Sequence, residues 1–300
     1  MPLLVAEAAK LSLEQLERGV IEEIIDRDEL FALVPFVKVE GKAYVYNREN
    51  TLTEADFLSP YDPVNEGGAT FTEVTTTLKV MAGDVDMDKF LLATQSDHNS
   101  QLAIQLASKA KGLGRAFRRA LIQGSSAANA KSFDGLAALC DPSQVLLADV
   151  NGASLTLAML DELKDLVKLG ADAFIMTRAT WRAVRAMLRS FNGNQAEIVM
   201  IPNFGHAVHS YDGIPVLLND FIPVNEVVGT NANTTSIYAI RLNEVDGFHA
   251  IYGGPSAGIQ VEEVGTIQNM DAVRYRMKWY VGTALKGTLS LARLAGVTNI

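Results

Sequence analysis

The 300-residue chain contains one cysteine, Cys140. A single thiol can form neither an internal disulfide nor a cysteine-rich metal site, so both kinds of stabilisation are excluded. Cys140 lies in the apolar stretch FDGLAALC, which predicts a small, buried and chemically silent side chain.

The chain has fewer basic than acidic residues: 26 Lys and Arg against 35 Asp and Glu, which gives a net charge of -9. A protein whose whole surface binds nucleic acid needs clustered Lys and Arg, because phosphates are bound by opposite charge. We therefore expect any contact with a genome to be local.

Long apolar runs are also missing, since no stretch approaches the roughly 20 residues that cross a bilayer. The opening MPLLVAEAAKLSLEQLERG places acids directly after a short apolar stretch and lacks the basic region of a secretory signal. We expect a soluble protein that is not exported. With 48% hydrophobic residues, the chain can bury the core of one large domain or of two connected ones.

Motifs for catalysis are scarce. The Walker phosphate loop, the dinucleotide fingerprint and the nucleophile elbow are all missing from the sequence. His206 and His209 lie in a Gly-rich loop without a helical His/Glu pair, so metal binding there is disfavoured. Asp84, Asp86 and Asp88 resemble half of a calcium loop, but their alternation favours the edge of a strand. We expect no catalytic residue, no metal site and no cofactor.

Within the first third of the chain, the spacing of apolar residues changes from a helical period to a period of two. Ser12 and Gln15 predict a capped amphipathic helix, and Pro35 ends helical structure. Residues 36–49 alternate with period two, which predicts a strand pair or a bent strand with Gly41 at the turn, and residues 69–83 predict a further strand. Between them lies a Pro- and Gly-containing loop tip. Two functions are open for it: an arm that reaches another subunit, or the lid of an active site.

The most regular segment predicts a long helix from Ser96 or Asp97 to a stop at Gly124. Its apolar stripe comprises Leu102, Leu106, Ala110, Leu113, Phe117 and Leu121, and the opposite side carries Lys111, Arg115 and Arg118.

Mixed α/β structure follows. Ser154 is the predicted cap of a helix that stops at Gly170, residues 173–176 predict a strand, and Thr177 begins a second helix. The remainder is rich in strands, which favours an antiparallel sheet.

This order of elements resembles the tailed-bacteriophage major capsid proteins. The most similar phrases are VNEGGATFTEVTTTLKVMAGDVDMDKFLL, before the long helix, and DGIPVLLNDFIPVN. The resemblance implies an α+β fold of the Hong Kong 97-like capsid type. Its parts would be an N-terminal arm (1–35), an extended hairpin loop (36–82), a peripheral domain with the spine helix (83–131), an axial domain (132–240) and a return to the peripheral domain (241–300).

The resemblance also implies a function: a structural, non-enzymatic protein that assembles with itself, as hexamers and pentamers, into an icosahedral shell around double-stranded DNA. Its partners would include scaffold, portal and decoration proteins, its location the virion, and its place of assembly the host cytoplasm, with no membrane. Two alternatives remain open. One is the shell of an encapsulin-like nanocompartment, and the other is a soluble α/β enzyme with an unrecognised site.

Two surfaces are candidate contact sites in such a shell. The first is the basic face of the long helix, Lys111, Arg115 and Arg118, with the phosphates of an enclosed genome or an adjacent subunit as its partner. The second is the acidic hairpin, Glu49, Glu54, Asp56 and Asp62, on that adjacent subunit. A merely solvated face is the plain alternative for the basic residues.

Overall fold

A computed structural model describes residues 30–51, 57–58, 67–94, 101–190, 198–200, 207–255 and 257–298. The helix predicted from Ser12 lies outside these ranges. The helices within them are Leu30–Leu33, Lys89–Thr94, Gln101–Gln123, Leu136–Leu139, Leu157–Leu166 and Arg178–Ser190, with short 3-10 turns at Pro142–Gln144 and Thr288–Ser290. The strands are β1 Phe36–Lys38, β2 Ala43–Thr51, β3 Thr70–Thr77, β4 Lys79–Asp88, β5 Val145–Leu147, β6 Ala173–Met176, β7 Ile198–Met200, β8 Ala207–Tyr211, β9 Ile214–Leu218, β10 Glu226–Val228, β11 Asn231–Ile240, β12 Phe248–Gly253, β13 Gln260–Thr266, β14 Ala272–Leu285 and β15 Leu291–Val297.

The first sheet has five strands in the order β1-β12-β14-β13, with β4 also paired to β14. All its pairings are antiparallel except that of β1 with β12. Its centre is β14, where Met277, Trp279 and Val281 are buried and alternate with more exposed residues. The predicted antiparallel sheet near the end of the chain is confirmed.

The second sheet has eight strands in the order β5-β15-β11-β6-β9-β8-β7, with β10 paired to β11. Strand β6 is buried along its whole length, and Leu160, Leu163, Trp181 and Val184 of two helices share a core with it. The predicted helix, strand and helix are confirmed. The predicted cap is wrong: the Thr156 hydroxyl, not that of Ser154, accepts the Met159 N–H.

Two strands do form within residues 36–49, but the expected pairing between them is wrong. β1 joins β12, whereas β2 pairs with β3 as a separate two-stranded hairpin. Gly41, with φ at +112°, and the adjacent residues turn the chain from one sheet to the other. The strand predicted over 69–83 divides at Leu78, whose N–H donates to the Lys42 carbonyl where the hairpin ends and β4 begins.

The long helix Gln101–Gln123 packs on the first sheet. The most buried residues of its predicted stripe are Leu113, Phe117 and Leu121, and the Phe117 ring lies 4.5 Å from that of Trp279. The stripe is therefore confirmed over its C-terminal half. Both proposed N-cap residues, Ser96 and Asp97, lie outside the described residues.

The last segment, 241–300, contributes strands to both sheets. β12, β13 and β14 lie in the first sheet, but β15 pairs with β11 and β5 in the second. β15 is almost entirely buried, so it completes the core of that sheet. The predicted domain boundaries, 241–300 included, remain a proposal.

Candidate functional site: the hairpin and the long helix

The hairpin of β2 and β3 has two different faces. Tyr44, Tyr46 and Arg48 are half-buried, whereas Val45 and Asn47 between them are exposed. Successive side chains of a strand point to opposite faces, so one face of the hairpin contacts its own subunit. The other face is open to a partner.

Two side chains fasten the inner face. The Tyr46 hydroxyl donates a 2.7 Å hydrogen bond to the Leu285 carbonyl, and Arg48 Nε donates a 2.8 Å bond to the Lys286 carbonyl. Another guanidinium nitrogen of Arg48 also donates to the Leu285 carbonyl. We call these contacts the hairpin anchor. They join β2 to the end of β14 and fix the angle at which the hairpin leaves the subunit.

A buried histidine lies below the anchor. His249 of β12 is 0% exposed, and its ring meets that of Tyr44 edge-on at 5.7 Å. Lys286 Nζ lies 5.8 Å from the centre of the same Tyr44 ring. Burial first, and then the charge of Lys286, lower the pKa of His249. A neutral His249 imidazole is therefore part of the surface of the subunit on which the hairpin packs.

Large apolar side chains lie on exposed parts of the hairpin. Val45 is 51% exposed and Phe71 is 63% exposed, and Phe71 pairs across the strands with the exposed Glu49. Phe57, in the connection between the strands, is fully exposed. The other acidic candidates, Glu54, Asp56 and Asp62, lie outside the described residues. Exposed apolar side chains that lie together and are rimmed by polar residues are typical of an interaction surface.

The long helix uses its basic residues in different ways. Lys111 is exposed, but the guanidinium carbon of Arg115 lies 5.8 Å from the Phe221 ring centre, and that of Arg118 lies 5.8 Å from the ring centre of Phe31. The expectation that all three project away from the subunit is therefore wrong for the two arginines, because aromatic faces of the same chain attract the guanidinium groups. Whether this face contacts a neighbour or a genome stays a prediction.

Sequence reasoning missed Arg119, which is exposed on the long helix. Its signal was present, since it lies one turn beyond Arg115. Lys111 and Arg119 are therefore the exposed pair with which the basic face can be tested.

Asp84 and Asp86 lie on β4, at one edge of the first sheet. Arg276 donates two 2.8 Å hydrogen bonds to Asp84, and Arg274 donates two 2.7 Å bonds to Asp86. These bonds lower the pKa of both carboxyls. The arginines occupy the oxygens that a calcium ion would need, so the prediction of a strand edge is confirmed.

The remaining chemical candidates do not converge. The His209 ring contacts that of Trp181, with ring centres 5.2 Å apart and the ring planes tilted by 34°, and His206 lies outside the described residues. Across the described part of the chain, no group of three or more His, Cys, Asp or Glu could hold a metal ion. Cys140 is buried, and burial raises its thiol pKa to about 11. No helix in the described ranges is long and apolar enough to cross a membrane.

Comparison with known proteins supports the architecture rather than a particular sequence family. No family model and no curated protein matches the chain. Solved structures do match. An encapsulin from Synechococcus elongatus PCC 7942, in the holo-SrpI complex, has a TM-score of 0.76 at 19% identity, covering 100% of this chain and 97% of its own.

Two further structures are similar over nearly their full length. The capsid of the native GTA particle has a TM-score of 0.70 at 17% identity, covering 98% of both chains. A chain of Microbacterium phage Oxtober96 has a TM-score of 0.67 at 14% identity, covering 97% of this chain and 98% of its own. Identities this low establish the fold alone. The chain thus has the α+β Hong Kong 97-like capsid fold that its sequence resembles.

Proposed function

We propose that this chain is the major capsid protein of a tailed bacteriophage, which assembles with itself into an icosahedral shell around double-stranded DNA. The observation that carries the proposal is the match, over 97–100% of the chain, to the encapsulin, the GTA capsid and the phage protein. A match over nearly the whole length of each chain supports a shared role more strongly than a match to one domain would.

The hairpin supplies a physical reason for assembly. Its inner face is held by Tyr46 and Arg48, while Val45 and Phe71 are exposed to water. Covering these side chains with a second copy would remove apolar area from water, which contributes about 25 cal/mol per Å². A closed shell repeats each such contact many times, so modest individual contacts add to a stable particle.

The same proposal defines the partners. Copies of the chain would form the hexamers and pentamers of the shell, and scaffold, portal and decoration proteins would complete it. Assembly would occur in the host cytoplasm, and the finished protein would reside in the virion. The chain's role there is structural, without catalysis or cofactor.

A second candidate is the shell of an encapsulin-like nanocompartment. It is favoured by the encapsulin's TM-score of 0.76, against 0.70 for the GTA capsid. The two functions differ in what the shell encloses, so the contents of a purified particle discriminate between them. Nuclease-protected DNA supports the capsid, whereas a specific protein cargo supports the nanocompartment.

Expression of the full chain tests the proposal. We expect closed particles of uniform diameter by electron microscopy. If the chain alone forms only open sheets, the experiment is repeated with the proposed scaffold protein added. A homogeneous monomer under both conditions would contradict the shell function and favour a soluble enzyme.

A further inference from the structure

The helix Arg178–Ser190 carries four arginines, at positions 178, 182, 185 and 189, and no acidic residue. Their spacings of four, three and four residues place them on one line along the helix, at 100° per residue. All four are exposed. From first to last the line is roughly 16 Å long, at a rise of 1.5 Å per residue. We call it the arginine stripe.

The other side of the helix explains why the stripe faces outward. Thr180, Trp181 and Val184 are buried, and Trp181 and Val184 belong to the core beneath the second sheet. Turning the arginines inward would expose these residues, so the packing of the helix fixes the stripe on the surface.

The arrangement is unfavourable for a helix that only meets water. Like charges three or four residues apart repel one another, and surface helices usually interleave the two signs. The Arg178 guanidinium lies 3.4 Å from the Asp220 carboxylate, and Arg189 Nε donates to the Arg185 carbonyl at 3.2 Å. Such contacts leave the stripe strongly positive in a chain of net charge -9. A local positive surface of this kind attracts an anionic ligand.

We propose that the arginine stripe binds the phosphate backbone of the double-stranded DNA enclosed by the shell, without regard to base sequence. The planar guanidinium group donates two parallel hydrogen bonds to a phosphate, which a lysine cannot do. Along 16 Å of its axis, a duplex presents about five phosphates on each strand. The proposal rests on the proposed function for the enclosed position of the DNA. The binding itself is testable on the subunit.

Binding of this kind is weak and strongly dependent on salt. Each neutralised phosphate lowers the slope of log K against log salt by about 0.9. Arg182, Arg185 and Arg189, the three arginines other than Arg178 beside Asp220, should therefore account for a slope of roughly -2.7. This slope corresponds to about a 40-fold loss of affinity between 50 and 200 mM salt. The acidic remainder of the surface prevents tighter binding, which would oppose packing and release of the DNA.

The test uses a fluorescent duplex of about 30 base pairs and the unassembled full chain, with fluorescence anisotropy recorded across salt concentrations. The variant replaces Arg182, Arg185 and Arg189 by Gln. The matched control replaces three exposed lysines outside the stripe by Gln, which changes the net charge equally: Lys38, Lys131 and Lys168. Thermal unfolding of both variants establishes that they fold.

We expect the arginine variant to bind at least 10-fold more weakly at 50 mM salt and to have a shallower slope, by about 2.7, while the lysine control changes little. Equal slopes for the wild type and the arginine variant would overturn the proposal. A peptide of residues 1–29, which is acidic, is the competitor for a protein ligand. If it binds the stripe in preference to the duplex, the stripe serves another copy of the chain and the proposal is wrong.

A second measurement separates this proposal from the shell function. Particles are counted by electron microscopy, and their nuclease-protected nucleic acid is measured per particle. We expect the arginine variant to form normal shells that retain less DNA, and unchanged DNA in normal shells would count against the stripe. If the wild type forms no shells, the proposed shell function is wrong. The duplex titration alone then tests whether the arginine stripe binds DNA.

Discussion

The Tyr46 hydroxyl donates a 2.7 Å hydrogen bond to the main-chain carbonyl of Leu285, although 239 positions separate the two residues. The bond joins the hairpin to the last residue of β14, the central strand of the first sheet. Arg48 adds bonds to the same short segment. The projection of the hairpin is therefore set by the sheet from which it leaves, and a rigid projection is what a repeated contact in a shell requires.

Weakening the hairpin anchor should impair assembly more than folding. We expect Tyr46→Phe combined with Arg48→Ala to cost the subunit about 1.5–4.5 kcal/mol, because three hydrogen bonds are lost and each contributes about 0.5–1.5 kcal/mol. Shell yield, measured by sedimentation and microscopy, should fall at least 10-fold. The control Asn47→Ala changes the exposed face at the same level of the strand. Equal shell yields from the two variants would show that the anchor does not orient the hairpin.

Shortening the hairpin separates folding from assembly more sharply. Deletion of residues from Thr51 to Gly67 leaves Gly68 and Ala69 to connect Asn50 with Thr70, a length that suits a tight turn. We expect native circular dichroism and protease resistance but no stable shells. An unfolded product would mean that the connection contributes to the subunit's own core.

The basic residues of the long helix form two groups: Lys111 and Arg119 are exposed, whereas Arg115 and Arg118 lie near aromatic rings of the same chain. Reversing the exposed charges, with Lys111→Glu and Arg119→Glu, should leave thermal unfolding nearly unchanged, since exposed ion pairs contribute about 0–1 kcal/mol. Shell yield should fall, and high salt should weaken wild-type assembly in parallel.

Arg118→Glu is the comparison variant. It should lower the unfolding temperature, because its guanidinium group lies over Phe31 within the subunit. Normal shell yield from the Lys111 and Arg119 double variant at ordinary salt would remove the assembly role of this face.

His249 should make the subunit sensitive to acid. Its pKa is lowered in the folded state by burial and by Lys286, so the unfolded state binds the extra proton first. Stability is complete above the unfolded pKa of about 6.5 and falls below it, by up to about 1.4 kcal/mol per pH unit until the folded pKa is reached. His249→Phe keeps an aromatic contact with Tyr44 and should flatten the profile of unfolding free energy below about pH 6.5. An identical profile in the variant would assign the acid sensitivity to other groups.

Cys140 should be silent in the native protein. With a thiol pKa of about 11 and little exposure, it is almost entirely protonated at neutral pH. A thiol reagent should label it at least 100-fold more slowly in the native subunit than in urea. Comparable rates would show that the segment around it opens readily.

Local patterns were sufficient for much of the fold. Period-two alternation predicted the strands around Gly41, and the apolar stripe predicted the burial of Phe117. Pairing partners were beyond such patterns, because β1 joins a strand more than 200 residues later in the chain. Likewise, Ser154 and Thr156 are both favoured N-cap residue types, Ser slightly more so, and only packing decides that Thr156 is the cap.

The candidate site was less predictable than the fold. Spacing alone placed Arg115 and Arg118 on the outer side of a helix, but it could not show that Phe221 and Phe31, distant in sequence, lie beneath them. The hairpin anchor could not be predicted from the sequence for a related reason. Its acceptors are main-chain carbonyls, which every residue has. The arginine stripe, in contrast, carries a sequence signal in its helical spacing, although its outward orientation depends on the burial of Trp181 and Val184.

Electron microscopy of the purified 300-residue chain decides whether it assembles into a shell. We expect closed, symmetric shells of uniform diameter, in which the hairpin of one subunit lies against a neighbouring copy. A stable monomer that forms no shell at any protein or salt concentration, with the proposed scaffold protein present, would contradict it.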